Sequence, residues 1–177
     1  MYEAELSMLR RLGRDSEVCI FAVQGNLAIM YKRLGRLDES MRLRQDVYSG
    51  TLKLYGEEHR ETLIAANNYA SSLVNLKRFK EAKAVLRKSV PTARRILGEN
   101  DRLTLKMRKI YARALYEDAG ATLGDLREAV TTLEDSERIA RRVFGGAHPF
   151  TGELAEFLRE ARAVLRARET PSPPGQA

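Results

Sequence analysis

Cysteine is nearly absent from the 177 residues: Cys19 stands alone, which excludes an intrachain disulfide or a cysteine-rich zinc site and fits a reducing compartment. No apolar run approaches the roughly 18 residues that a membrane span needs. The first 13 residues carry Glu3, Glu5, Arg10 and Arg11 where a signal peptide would be apolar. A soluble, cytoplasmic protein is therefore expected. No Cys–His pair, Ser–His–Asp set, glycine-rich phosphate loop or metal-spaced cluster occurs, so the sequence predicts no enzyme, no cofactor and no metal. Strand signals are missing as well. What is present is charge and apolar material: 44% hydrophobic residues are enough for a core, and 31 Lys+Arg against 24 Asp+Glu leave a net charge of +7. That surplus is the one compositional hint of a partner, whether nucleic acid, an acidic membrane surface or an acidic peptide; it also suits a merely well-solvated surface.

The chain repeats itself. Tyr55-Gly-Glu-Glu-His-Arg-Glu-Thr62, Leu97-Gly-Glu-Asn-Asp-Arg-Leu-Thr104 and Phe144-Gly-Gly-Ala-His-Pro-Phe-Thr151 share an apolar residue, Gly, a polar or His position and Thr in one register. Their glycines recur after 42 and then 47 residues, and Leu37, Phe79 and Leu126 of a second signature recur at the same intervals. Ala28, Ala70 and Ala112 are spaced by 42 and 42, so the five extra residues of the last repeat lie after Ala112, in an enlarged turn over Asp118–Gly124.

Within each repeat the apolar spacing is helical. Leu63, Ala66, Ala70, Leu73 and Leu76 step by three and four, as do Ala82, Leu86, Val90, Ala93 and Leu97. Each unit therefore reads as a helical hairpin. At the joints a glycine able to take positive φ ends one helix, and the His or Asp beyond it caps the next. Capping and packing are thus the expected roles of His59 and His148. Small residues at 28, 70, 112 and at 40, 82, 129 let paired helices approach closely. Pro91, inside a helix, should bend it. Cys19 is expected to be a small buried side chain.

The predicted elements are a partial second helix over 1–12, a first hairpin over 17–55, a second over 59–97, a third over 102–144, a single final helix over 149–168 and a disordered tail over 169–177. The array of about three and a half repeats thus spans 13–168.

The joint sequences, with Asn67-Asn68-Tyr69-Ala70, Gly25-Asn26-Leu27-Ala28 and the turn Lys77-Arg78-Phe79-Lys80-Glu81-Ala82, resemble tetratricopeptide repeats of the longer kind found in kinesin light chains. The resemblance implies an all-α, right-handed solenoid (superhelix) of antiparallel hairpins acting as a protein–protein interaction scaffold. Its His-Pro survives only at His148-Pro149, and the heptad coiled coil that would join a motor is missing, so transport is not implied.

By the same resemblance, first helices line a concave groove that holds a peptide or partner protein. The lining positions include Asn26 in the first repeat, Asn67, Asn68, Ser71 and Asn75 in the second, and Lys106, Lys109, Ile110 and Arg113 in the third. Amide donors and cations suit a carboxylate, so an acidic peptide is the favoured partner. Ile110 stands where a carboxylate clamp would want a polar residue. A structural reading competes: 47 residues after Lys106, Lys109 and Arg113 come Glu153, Glu156 and Glu160, so the basic stripe can instead form a ladder to the next first-type helix. Nucleic acid is the runner-up partner, given Arg87, Lys88, Arg94 and Arg95 and the stripe Arg159, Arg162 and Arg166, but no aromatic residues interleave with these clusters. A structural fragment of a longer array is the other alternative. The last helix should expose Leu154, Phe157, Leu158, Ala161 and Leu165 where a mate would pack, which suggests a continuing array, self-association there, or an unusually apolar terminal helix.

Overall fold

The computed structural model describes Ala4 and residues 17–170 of the protein. The partial helix expected over 1–12 and most of the expected tail lie outside the described residues. Seven helices and no strand occur among those described: α1 Glu17–Arg33, α2 Leu37–Tyr55, α3 Arg60–Asn75, α4 Phe79–Leu97, α5 Arg102–Tyr116, α6 Leu123–Phe144 and α7 Pro149–Glu169. The fold is an all-α repeat fold. By its contacts the chain divides after Arg78 into two compact units, the first holding α1–α3 and the second α4–α7.

Each helical joint follows one plan. Gly56, Gly98 and Gly145 have φ of 83°, 89° and 91°, a conformation that costs a glycine little because it has no Cβ. Their N–H groups close onto Leu52, Arg94 and Arg141 carbonyls at 3.0–3.1 Å. The next helix is then capped by a side chain. His59 Nδ1 accepts from Glu61 N–H at 3.2 Å, Asp101 Oδ1 from Leu103 N–H at 2.7 Å and His148 Nδ1 from Phe150 N–H at 3.1 Å. Asp101 therefore replaces histidine without loss of the cap. The imidazoles also pack, His59 stacking on Tyr55 with centroids 4.4 Å apart and His148 leaning on Phe144 at 5.2 Å.

In the first unit α2 packs against both α1 and α3. Val23 and Leu27 of α1 are buried with Ile20, Tyr31 and Leu43 around them. Ala28 has no exposed surface, and the Ser40 hydroxyl of α2 donates to its carbonyl at 2.7 Å, so the residue that permits the close crossing also supplies a bond across it. Lower down the same helix pair, Gly50 meets Phe21 so closely that a Cβ would stand 2.3 Å from the ring. The Thr62 hydroxyl ties α3 back to the Thr51 carbonyl of α2 at 3.2 Å.

In the second unit α5 packs on α4, α6 and α7, and α6 also packs on α7. The core joins Leu105, Ala112 and Leu115 of α5 to Leu126, Ala129 and Leu133 of α6 and to Leu154, Leu158 and Ala161 of α7. The expectation that α7 would leave its apolar face open is therefore corrected: Leu154, Leu158 and Ala161 are buried against α5 and α6, and Phe157 and Leu165 are half-buried. The five added residues enlarge the α5–α6 turn. There Asp118 accepts from Lys83 Nζ at 2.9 Å and from Gly120 N–H at 3.0 Å, and Thr122 with Asp125 forms a reciprocal capping box at the start of α6.

Two outcomes follow. Gly50→Ala should lower stability by about 1–3 kcal/mol through overpacking, while Gly25→Ala, whose Cβ would meet nothing within 4 Å, should raise it by roughly 0.5–1 kcal/mol; urea unfolding of both variants checks the contrast. The hydrogen bonds from Lys83 and Gly120 hold the Asp118 carboxyl below its ordinary value. Its contribution is present above the ordinary carboxylate range and is lost as pH falls through the depressed value. Asp118→Asn should therefore lower the melting temperature at neutral pH and flatten its fall in acid.

Candidate functional site

The basic stripe expected on the third first-type helix exists, and α7 meets it. Lys106, Lys109 and Arg113 step by three and four along α5, so they share one side of the helix. All three are half-buried. Lys109 Nζ binds Glu153 Oε1 of α7 at 2.5 Å and lies 5.4 Å from the Phe157 ring centre and 5.6 Å from that of Phe150. The Arg113 guanidinium lies 5.2 Å above Phe157 and is held by its own helix, with Nε 2.7 Å from Glu117 Oε1. Arg102 covers Phe150 at 5.7 Å. Cations thus sit on aromatic faces as well as beside carboxylates, an arrangement each ring quadrupole favours by about 0.5–1 kcal/mol at exposed sites.

The ladder forms in a shifted register. Lys109 meets Glu153, one turn earlier than the Glu156 that repeat spacing indicates, because helical side chains lean toward the N-terminus and lysine reaches further than glutamate. Glu160 receives the Tyr116 hydroxyl at 2.7 Å instead of an Arg113 bond. Burial and this carboxylate push the Tyr116 phenol far above its ordinary value, so it stays a donor. No ion pair among the described residues involves Lys106. Ile110 is buried, 5% exposed, and belongs to the core instead of the lining.

The amide positions belong to the first unit. Asn26 is exposed on α1. Asn67 on α3 is buried; its Nδ2 donates to Asn68 Oδ1 at 3.4 Å and its Oδ1 has no hydrogen-bond partner. Asn68, Ser71 and Asn75 are half-buried on the same helix. Cys19 is exposed, which corrects the buried position expected for it: it lies on the first turn of α1, one turn before the buried Val23 and Leu27. What sequence reasoning missed is Phe150 and Phe157 as the floor of the basic stripe. Phe157 stands 47 residues after Ile110, so repeat spacing already placed it beside that stripe.

No described helix is long and apolar enough to cross a membrane. Residues 19–95 match the tetratricopeptide repeat family. No curated protein matches the sequence. Among solved structures, BtubC (BKLC) from P. vanneervenii shares 18% identity, with a TM-score of 0.70 over 99% of this chain and 76% of that one. A single-substitution form of a kinesin light chain-like protein of Podosopora anserina, with nearly identical TPR-like repeats, shares 21% identity, with a TM-score of 0.71 over 96% and 86%. Another structure of that Podosopora anserina protein shares 22%, with a TM-score of 0.65 over 84% and 76%.

A stability test separates the two kinds of contact on the α5–α7 face. Lys109→Gln should cost about 1–2 kcal/mol, since it removes one pair to an exposed glutamate and a cation lying over two rings. Phe157→Ala should cost more, about 3 kcal/mol or above, because it removes a large ring packed against the core of the second unit. Equal losses in chemical denaturation would contradict this ranking.

Proposed function

We propose, on the premise that residues 19–95 are tetratricopeptide repeats and that the whole described fold is that of kinesin light chain-like repeats, that this chain is a non-enzymatic scaffold holding a peptide or partner protein along its first-type helices. Tetratricopeptide repeats mediate protein–protein interaction, and the match to that family is the observation that carries the reading. In the first unit the partner would meet the amides of Asn26, Asn67 and Asn68 with Ser71 and Asn75. In the second unit it would meet Lys106, Lys109 and Arg113.

An acidic segment fits the second face best. Among the described residues Lys106 forms no ion pair, and Lys109, which also lies over Phe150 and Phe157, has one exposed glutamate that an incoming carboxylate can replace. Nucleic acid fits less well. Base stacking needs an open aromatic face, and here Phe150 is buried while Phe157 lies under Lys109 and Arg113. Exposed, unpaired Cys19 suits a reducing compartment, which supports a cytoplasmic location for the scaffold.

An acidic-peptide array read against the wild type and a Lys106→Glu/Lys109→Glu variant tests the proposal. Lost binding with an unchanged melting temperature is the expected result. Unchanged binding with lost stability would assign the stripe to internal alignment alone. A loss of affinity of several powers of ten between about 50 and 200 mM salt would point to nucleic acid, for which counterion release sets such a slope.

A further inference from the structure

On the side of α5 turned away from Lys109 lies a cleft of about 400 Å³ walled by α4, α5 and α6. Arg108 and Tyr111, three residues apart, face into it, whereas Lys106, Lys109 and Arg113 project from the opposite side of the same helix. Leu86, Val90 and Pro91 of α4 make one wall apolar. Proline has no N–H, so the Arg87 carbonyl one turn earlier loses its i+4 helical donor.

Most charges in and around the cleft are closely paired, whereas Arg87 reaches only a phenol and Arg108 only a distant carboxylate. Arg138 binds Asp135 at 2.5 Å, Arg94 pairs with Glu99, and Tyr111 accepts from Arg87 at 3.3 Å while donating to Glu128 at 2.9 Å. Arg108 is 8% exposed, yet its Nη2 reaches only the Thr132 carbonyl and Asp135 Oδ2, each at 3.5 Å. A charge-assisted bond is about 2.7–2.9 Å long, and a guanidinium carries about five N–H donors, so most of this one's capacity is unused. Burial lowers the Arg108 guanidinium below its ordinary value, since desolvation outweighs what Asp135 returns.

We propose that this cleft binds one carboxylate of an acidic peptide segment, a Glu or Asp next to an apolar residue, with the carboxylate on Arg108 and its neighbour on Val90 and Pro91. A single negative charge matches the surplus of Arg87, Arg94 and Arg108 over Glu128 and Asp135 along the lining. A phosphate dianion is disfavoured because Glu128 and Asp135 line the same cleft. The site is independent of the α5–α7 face and uses none of its residues.

Titrating Ac-Leu-Glu-Leu-NH2 and Ac-Leu-Gln-Leu-NH2 into the full chain, followed by NMR of backbone amides and arginine Nε–H groups, tests it. The Glu peptide should shift signals of Arg108, Tyr111 and Thr132 and bind about tenfold or more tighter than the Gln peptide, the worth of one charge-assisted bond. Arg108→Gln should abolish the difference. Because that residue is buried, Thr131→Trp, placed on the exposed rim to fill the cleft without touching the core, keeps the test decisive if Arg108→Gln fails to fold. Arg141→Gln, which removes an exposed arginine paired with Glu137 outside both faces, should leave the shifts at Arg108 and Thr132 intact. Equal response to both peptides, no response at these signals, their survival in Thr131→Trp, tighter binding of the phosphoserine counterpart, or their loss in Arg141→Gln would each overturn the proposal.

Discussion

Close approach of neighbouring helices through small residues is the constraint on which the rest of this structure depends. Ala28, Ala112 and Ala129 have no exposed surface at all. A larger side chain at such a crossing would push the helix axes apart and open voids around Leu105, Leu126 and Leu133, where cavity terms add to lost burial. Two polar devices reinforce the approach within the first unit. The Ser40 hydroxyl bonds across the α1–α2 crossing, and the Thr62 hydroxyl anchors α3 to α2. Thr151 bonds back to the Gly145 carbonyl at 2.9 Å, whereas the hydroxyl of the equivalent Thr104 is buried without a hydrogen-bond partner.

Charge has a different fate from the one its surplus suggests. Much of the arginine and lysine on the second unit is spoken for by neighbours: Arg127 by Glu169, Arg141 by Glu137, Arg162 by Glu134 and Lys109 by Glu153. Exposed pairs of this kind contribute about 0–1 kcal/mol each, so they align helices more than they stabilise them. A weakly held pair is also one that a partner can displace. That makes the α5–α7 face and the Arg108 cleft chemically distinct, the first offering half-buried cations over aromatic rings and the second a buried cation whose carboxylate stands at 3.5 Å.

The hairpin plan was legible from the residues because it is local. A glycine at positive φ, a capping His or Asp two positions before the N–H it receives, and apolar steps of three and four all act within one or two turns of chain. The same locality explains why Asp101 could replace His59 and His148 with the cap preserved. The basic stripe was legible too, as was the presence of glutamates one repeat later. Its partners were not, because side-chain lean shifts Lys109 by a turn and places Phe157 beneath it, and neither effect is a property of spacing alone.

By itself the sequence determined an all-α repeat array, the positions of its joints and the absence of recognisable catalytic patterns, since these follow from periodicity and from residue types at short range. Tertiary structure alone decided which charges are answered and which apolar faces are covered. Leu154, Leu158 and Ala161 turned inward because α5 and α6 together bury what a single hairpin partner would leave open. Arg108 and Lys109, adjacent in sequence, came to lie on opposite sides of one helix in unlike surroundings, because a step of one residue turns the side chain by about 100° and the neighbours on each side belong to distant stretches of chain.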